Sequence, residues 1–408
     1  MPTDPPSRSG RALLEGLAWT AALLLAATVL AAIGYRGRDP DSRLYAEIGA
    51  GLAARPVREW ISPSFPPGWY MTGPFREHPV GIHLLPASLG RLGYPPGQAA
   101  YLANALYQLL SIVLICRLAA TFVVGLESRA LGLFVQLLPI AFTLRVRANH
   151  EQAVLLCLLV ALHGAERSRR RPIFALGMAT GLVGLLLVKG VFVALGFLAC
   201  ALWIFVRRGA EDGSSRTALA GLAGAAAAVG ATAWLYELWY RTQTGEPFWS
   251  FNLARQLGVA AASRSAAPLL EKAYNLVWYG GRIVWFAFPW SLVLAAWLVS
   301  RRARSATSCT GASRDGLAFV LLLTALFLGA FGLSDRRADR YLFPVYYAVG
   351  AAGAVIALRT WPRLRAWVER FDRWHPWPTV ILWVLTFVLH FAGGWLGVPT
   401  VKIWAPDR

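Results

Sequence analysis

The sequence predicts an all-α protein that crosses a membrane many times, and three observations carry that prediction. Hydrophobic residues make up 57% of the 408-residue chain and charged residues only 15%, where a soluble domain has roughly 25% charged. Apolar runs near the ~20 residues needed by a spanning helix recur along the whole length. Short arginine-rich clusters separate those runs at alternate connections.

Eleven runs are read, near 12–34, 98–123, 130–144, 149–165, 173–188, 190–206, 217–240, 277–299, 316–333, 341–358 and 378–397. The expectation is about eleven transmembrane helices, within a range of nine to twelve. The first run follows Arg8 and Arg11, and its length favours a retained helix over a cleaved signal peptide. Lys189-Gly190 divides two runs so tightly that one long helix is the alternative there. The whole chain, 1–408, is read as a single transmembrane domain without a soluble C-terminal domain.

There are 40 basic and 21 acidic residues, a net charge of +19, and all but three of the bases are arginine. These bases form no single stripe, so no nucleic-acid partner is expected; membrane lipids are. The clusters at 166–171, 207–216, 301–314 and 359–373 fall on one side under the positive-inside rule. That rule puts the N-terminus in the cytoplasm and the long segments 35–97 and 241–276 outside, in a multi-pass protein of the cell (inner) membrane. In 359–376, Trp361, Leu364, Trp367, Val368, Phe371 and Trp374 recur at helical spacing between arginines, predicting an amphipathic helix on the cytoplasmic face. Leu44, Tyr45, Ile48 and Leu52 predict a similar helix over 42–54, just outside the first span.

Cys116, Cys157 and Cys200 lie in apolar runs and Cys309 in a polar loop, none with metal-ligand spacing. The six His are scattered. No metal site and no cofactor is indicated, a divalent cation being left open.

The outer loop 35–97 holds the densest chemistry. Asp39 before Pro40 reads as a helix start, with Asp as N-cap and Pro at the first helical position. That explains Asp39 but not Asp41, an acid in the first turn near the mouth of the bundle. Glu77-His78 set an acid and a titratable base before Pro79, where the chain turns back to an apolar stretch. Lys189 sits between two apolar runs. Asp335-Arg336-Arg337-Ala338-Asp339-Arg340 sets three arginines on the outer side, which suits an anionic ligand such as phosphate.

These residues resemble a family. Asp41-Ser42-Arg43-Leu44-Tyr45-Ala46-Glu47-Ile48 is similar to the D-E-x-R-Y-A-E-I stretch of the glycosyltransferase family 39 type, with the GT-C fold, which includes aminoarabinose transferases of lipid A and protein O-mannosyltransferases. Phe75-Arg76-Glu77-His78-Pro79 resembles its F-x-E-K-P-P segment. Leu187-Val188-Lys189-Gly190 resembles its L-T-K-G turn, and Arg340-Tyr341-Leu342-Phe343-Pro344-Val345-Tyr346 its R-Y-L-L-P-L-Y helix. The resemblance covers roughly residues 10–358 and implies a GT-C-like helical bundle. It implies an enzyme moving a hexosyl or pentosyl group from a polyprenyl-phosphate donor to a lipid, glycan or protein hydroxyl on the outer face. It makes Asp41 the general base and Glu77 a second acid, with His78, Arg43, Tyr45, Lys189, Arg337 and Arg340 as substrate-binding candidates. The chain departs from the pattern at Ser42, where the family has Glu, at His78, where it has Lys, and at Arg43, one place early. A lipid or solute transporter and a catalytically inactive family member stand as alternatives. The sequence assigns neither sugar nor acceptor.

Overall fold

A computed structural model describes residues 8–36, 39–69, 71–123, 126–210, 213–261, 268–300, 311–334, 337–372 and 380–385. Cys309, Asp335, Arg336, Trp374 and most of the final apolar run lie outside the described residues. Among the described residues the secondary structure is helical, apart from a single Ser64–Pro74 bridge in the loop 35–97.

Helix α1 (Arg8–Arg36) leads into α2 (Pro40–Ala53) through a 111° bend. As expected, Asp39 caps α2, accepting from the Ser42 N–H at 3.1 Å, and Pro40 opens its first turn. The loop continues through α3 (Gly81–Arg91) to α4 (Pro96–Ala119). The run expected at 130–144 is two shorter helices, α5 (Leu126–Phe134) and α6 (Pro139–Arg145). Pro139 has no N–H for an i−4 carbonyl, so the chain breaks there and starts again. Then come α7 (Glu151–Ser168), α8 (Ala175–Lys189) and α9 (Val193–Val206).

Lys189-Gly190 is a chain reversal rather than a point within one long helix. Gly190 has φ +53°, and a Cβ on Gly196 would lie 2.5 Å from a Leu185 methyl and 3.0 Å from one of Leu182. In a continuous helix those residues would be more than ~15 Å apart, so α8 and α9 form a hairpin with Lys189 at its tip.

Helix α10 (Ser215–Thr244) is followed by α11 (Trp249–Ala261) within the segment 241–276. The run expected at 277–299 is bent by 116° between α12 (Pro268–Phe286) and α13 (Trp290–Val299), where Pro289 interrupts the helical hydrogen bonds. Helices α14 (Gly311–Gly332), α15 (Phe343–Thr360) and the amphipathic α16 (Pro362–Asp372) follow, and residues 380–385 are helical as well.

Five helical stretches among the described residues are long and apolar enough to cross a membrane, one of them the α8–α9 hairpin, and two bent pairs bring the number to seven. The sequence reading of about eleven also counted α7, whose 18 residues include Glu151, Glu166 and Arg167, and the α5–α6 break, whose helices are only 9 and 7 residues long. The lipid-facing character of the bundle is plain on α10, where Trp234, Leu235, Leu238 and Trp239 are exposed. This is an integral membrane protein.

Helices α7 and α8 pack backbone to backbone. A Cβ on Gly164 would lie 2.2 Å from the Met178 nitrogen, and one on Gly181 2.4 Å from the Ala161 nitrogen. Small residues permit this approach where no hydrophobic effect drives helices together within lipid. Gly164→Val is expected to destabilise the bundle by about 1–3 kcal/mol or more. Thermal melts in nanodiscs check this, and an unchanged Tm would refute the packing.

A separate apolar cluster anchors the loop 35–97. Leu44, Ile48, Trp60, Phe65, Phe75 and Val80 pack on Tyr236, Tyr240 and Phe248. The Tyr236 hydroxyl accepts from the Val80 N–H at 3.2 Å. The loop carrying Asp41 and Glu77 is therefore built onto the rigid end of α10.

Candidate functional site

The capped start of α2 sets Asp41 at the helix's positive end, where a carboxylate is favoured. Its neighbour Ser42 points inward. Its hydroxyl donates to Asp39 and accepts from the Ala148 N–H at 2.9 Å. The residue standing where the family has Glu is thus fully buried and ties α2 to the turn before α7. One turn on, the Tyr45 hydroxyl lies 3.3 Å from His150 Nδ1. These two ties bring the first turn of α7, with Glu151, up to the first turn of α2.

Arg340 joins the two acids. It enters on the short turn before α15 (Asp339–Leu342), and its Nη1 donates to Asp41 Oδ2 at 2.5 Å. Its Nε stands 3.8 Å from Glu151 Oε1, and His150 Nε2 stands 3.0 Å from the same oxygen. Asp41 is half exposed, whereas the Glu151 side chain is at 0% exposure. One guanidinium therefore bridges an accessible carboxylate and a buried one.

Lys189 approaches from the α8–α9 tip, its ammonium over the rings of Phe192 and Tyr341 at 5.1 and 5.4 Å. Gly190 must be glycine here. Besides its positive φ, a Cβ would press on Asn252 Oδ1 at 3.0 Å. The start of α3 docks on the same tip, since a Cβ on Gly81 would meet the Leu187 carbonyl at 2.6 Å. This brings His78 beside Lys189 and sets its ring against that of His150, tilted by 56° with centroids 4.6 Å apart.

Both loop histidines are neutral at physiological pH. Burial, followed by the nearby His150, Lys189 and Arg340, holds His78 well below the usual histidine range. Burial pushes His83 down to about 3, opposed by the nearby Tyr45 backbone. The sign follows. Between the folded and unfolded pKa values the unfolded chain binds more protons, so stability falls as pH drops below about 6.5. From pH 6.5 to 5 the loss is at most about 2 kcal/mol per histidine. His83→Gln is expected to flatten the decline of Tm between pH 7 and 5, and an equally steep decline in the variant would refute it.

Glu77 does not face Asp41. It pairs with Arg255 of α11, while Arg76 pairs with Glu246. From the same helix, Asn252 Nδ2 donates to the Arg76 and Glu77 carbonyls at 3.1 Å each, and Gln256 Nε2 to the Glu77 carbonyl at 2.9 Å. Glu77 thus belongs to a clamp between α11 and the loop. Arg43 is exposed and pairs with Glu47 at 2.6 Å, its guanidinium 6.0 Å from the Trp69 ring. Arg337 is exposed and lies over Tyr274 at 4.8 Å, apart from the acid cluster. Asp41, Tyr45, His78, Lys189 and Arg340 come together; Glu77, Arg43 and Arg337 surround them.

Sequence reasoning missed His150 and Glu151. The signal was an acid and a histidine opening an apolar run, since an ionisable group at the mouth of a span is a functional candidate by default. Along α12 and α13, Trp285 is exposed, the Arg282 guanidinium lies over the Trp278 ring at 4.9 Å, and Trp290 is packed in the core against Phe134. Glu237 accepts from the Phe248 and Trp249 N–H groups at 3.0 Å each, holding the start of α11. No group of three or more His, Cys, Asp or Glu among the described residues is arranged to hold a metal ion.

This helical bundle, with its ionisable cluster at one end under the loop 35–97, has the polytopic GT-C fold. Crystal structures of ArnT from Cupriavidus metallidurans share that fold: one bound to undecaprenyl phosphate, with TM-score 0.60, 16% identity and 89% of this chain covered, and one in the apo state, with TM-score 0.63, 16% identity and 87% covered. The chain spans 62% of the length of these structures. No family model and no curated protein matches the chain.

Proposed function

We propose that the protein is a membrane glycosyltransferase. It takes a sugar from a polyprenyl-phosphate-linked donor and transfers it to a hydroxyl acceptor on the extracytoplasmic face of the cell (inner) membrane, with the N-terminus cytoplasmic. The observation that carries this reading is the Asp41–Arg340–Glu151 bridge beside Lys189 at one end of an apolar bundle. An accessible carboxylate meets one guanidinium, and that guanidinium shares a buried carboxylate with Lys189, an arrangement that suits transfer from a phosphate leaving group. The fold shared with a protein solved with undecaprenyl phosphate supports the donor class.

In this mechanism Asp41 takes the proton of the acceptor hydroxyl. The hydroxyl oxygen bonds to the anomeric carbon as the bond from that carbon to the phosphate oxygen breaks. Polyprenyl phosphate leaves with the electron pair, and displacement from the opposite face inverts the carbon. Arg340 and Lys189 stabilise the charge on the departing phosphate, which needs no proton donor. A donor phosphate at Arg340 competes with Asp41 for the guanidinium and so releases the carboxylate for its acceptor. Buried Glu151 keeps Arg340 in place throughout. Tyr45 and neutral His78 wall the site, Glu77 holds the loop through Arg255, and Arg43 and Arg337 offer outer charge to donor or acceptor. An apolar cavity of about 170 Å³ begins at Pro344 and Tyr347, just below Arg340, and gives hydrocarbon room inside the bundle.

The test uses the protein in nanodiscs with a panel of undecaprenyl-phosphate sugars and a membrane extract as acceptor source. Release of undecaprenyl phosphate is the expected result. Donor binding without release would favour an inactive protein, and substrate flux without transfer a transporter.

A further inference from the structure

A small cavity of about 10 Å³ lies among Tyr45, His83, Ala103, Asn104, Ala148 and Asn149. Its polar lining is short of partners. Both ring nitrogens of His83, Oδ1 of Asn104 and both side-chain polar atoms of Asn149 lack a hydrogen bond. These residues are 0%, 2% and 1% exposed, so bulk water does not serve them. Buried polar atoms without partners are costly and rare, and a cavity of roughly 10–15 Å³ with two to four polar neighbours is what one buried water needs.

We propose that this cavity binds a single water molecule, held by His83, Asn104 and Asn149 as a fixed part of the floor beneath Tyr45. The donor and acceptor inventory selects the ligand. Asn104 Nδ2 donates to the Leu144 carbonyl at 3.0 Å, so the unpartnered atom of Asn104 is its acceptor Oδ1. Asn149 offers a donor and an acceptor, and neutral His83 one ring nitrogen, since its two nitrogens diverge too far for one small occupant to reach both. The occupant must therefore both donate and accept. A metal cation would meet N–H donors, an anion would meet the Asn104 oxygen, and a methyl group would satisfy nothing. Water matches all three side chains.

The bridge has a structural consequence. His83 is on α3, Asn104 on α4, and Asn149 precedes His150 in the turn that meets Tyr45. One water thus links three segments behind the residues that bring Glu151 to Arg340. His83 is a positioning residue here, acting through the water, and the proposal does not depend on the assignment of sugar transfer.

The test compares Ala103→Ser and Ala103→Cys in the full chain in nanodiscs. A serine hydroxyl can take over the water's bonds, while a cysteine fills the space with weak hydrogen-bonding capacity. Ser is expected to keep Tm near wild type and Cys to lower it by about 2–4 °C. A Tm for Cys equal to or above that of Ser means the cavity is dry and overturns the proposal. Hydroxyl-radical footprinting of wild type gives a second readout if both variants misfold. Labelling of buried His83, from radicals formed on the bound water, is expected; its absence overturns the proposal. Neither readout uses transfer activity, so its failure and that of the glycosyltransferase reading are distinguishable.

Discussion

Asp41→Asn is expected to cut sugar transfer by about 10²–10⁴-fold, or about 3–5 kcal/mol of barrier, while the protein inserts and folds as before. Asn is nearly the same shape and can still accept from Arg340, so the geometry at the mouth of the site survives. What is lost is the capacity to take a proton. Because Asp41 is half exposed, its ion pair with Arg340 contributes little to stability, and the Tm is expected to stay close to wild type. The loss should fall on kcat, since the phosphate contacts of Arg340 and Lys189 are retained. Steady-state kinetics with a polyprenyl-phosphate sugar, run beside a thermal melt, check both halves. Full activity in the variant would remove Asp41 from the mechanism.

Arg340→Met is expected to damage stability and transfer together. Glu151 is fully buried, and Arg340 stands 3.8 Å from its carboxylate. Removing one partner of a buried pair costs about 3–5 kcal/mol where no other charge compensates. The cost here should be smaller, because Lys189 and His150 also act on Glu151. The companion variant separates the two effects. Arg340→Met with Glu151→Gln removes the orphaned charge, so its Tm is expected to recover while transfer stays lost. If Arg340→Met alone melts like wild type, the guanidinium does not compensate Glu151, and the bridge has no structural role.

The site was partly legible in the sequence. Asp41 stood out because Asp39 and Pro40 already accounted for the helix start and left a second acid unexplained. Lys189 stood out as a charge between apolar runs, and Arg340 as one of several bases outside. Glu77 was equally visible, but its partner Arg255 is 178 residues away in sequence, and spacing carries no information about such a pair. His150 and Glu151 looked like the edge of a span. Their importance depends on Ser42 and Tyr45, 106 and 105 residues distant, reaching the turn before α7.

By itself the sequence determined that this is a helical membrane protein, that Asp39 and Pro40 start α2, and that Asp41, Lys189 and Arg340 stand at the ends of apolar runs. Apolar runs, caps and prolines act over a few residues, and the bilayer requires every spanning backbone group to be satisfied within its own helix. Only the tertiary structure decided which charges meet. It folded α8 and α9 back at Lys189 and bent the chain at Pro289. It also placed two acids from distant helices on one arginine. Those outcomes rest on packing between segments far apart in the chain, such as the close approach of α7 and α8 at Gly164 and Gly181. Local patterning cannot encode that geometry on its own.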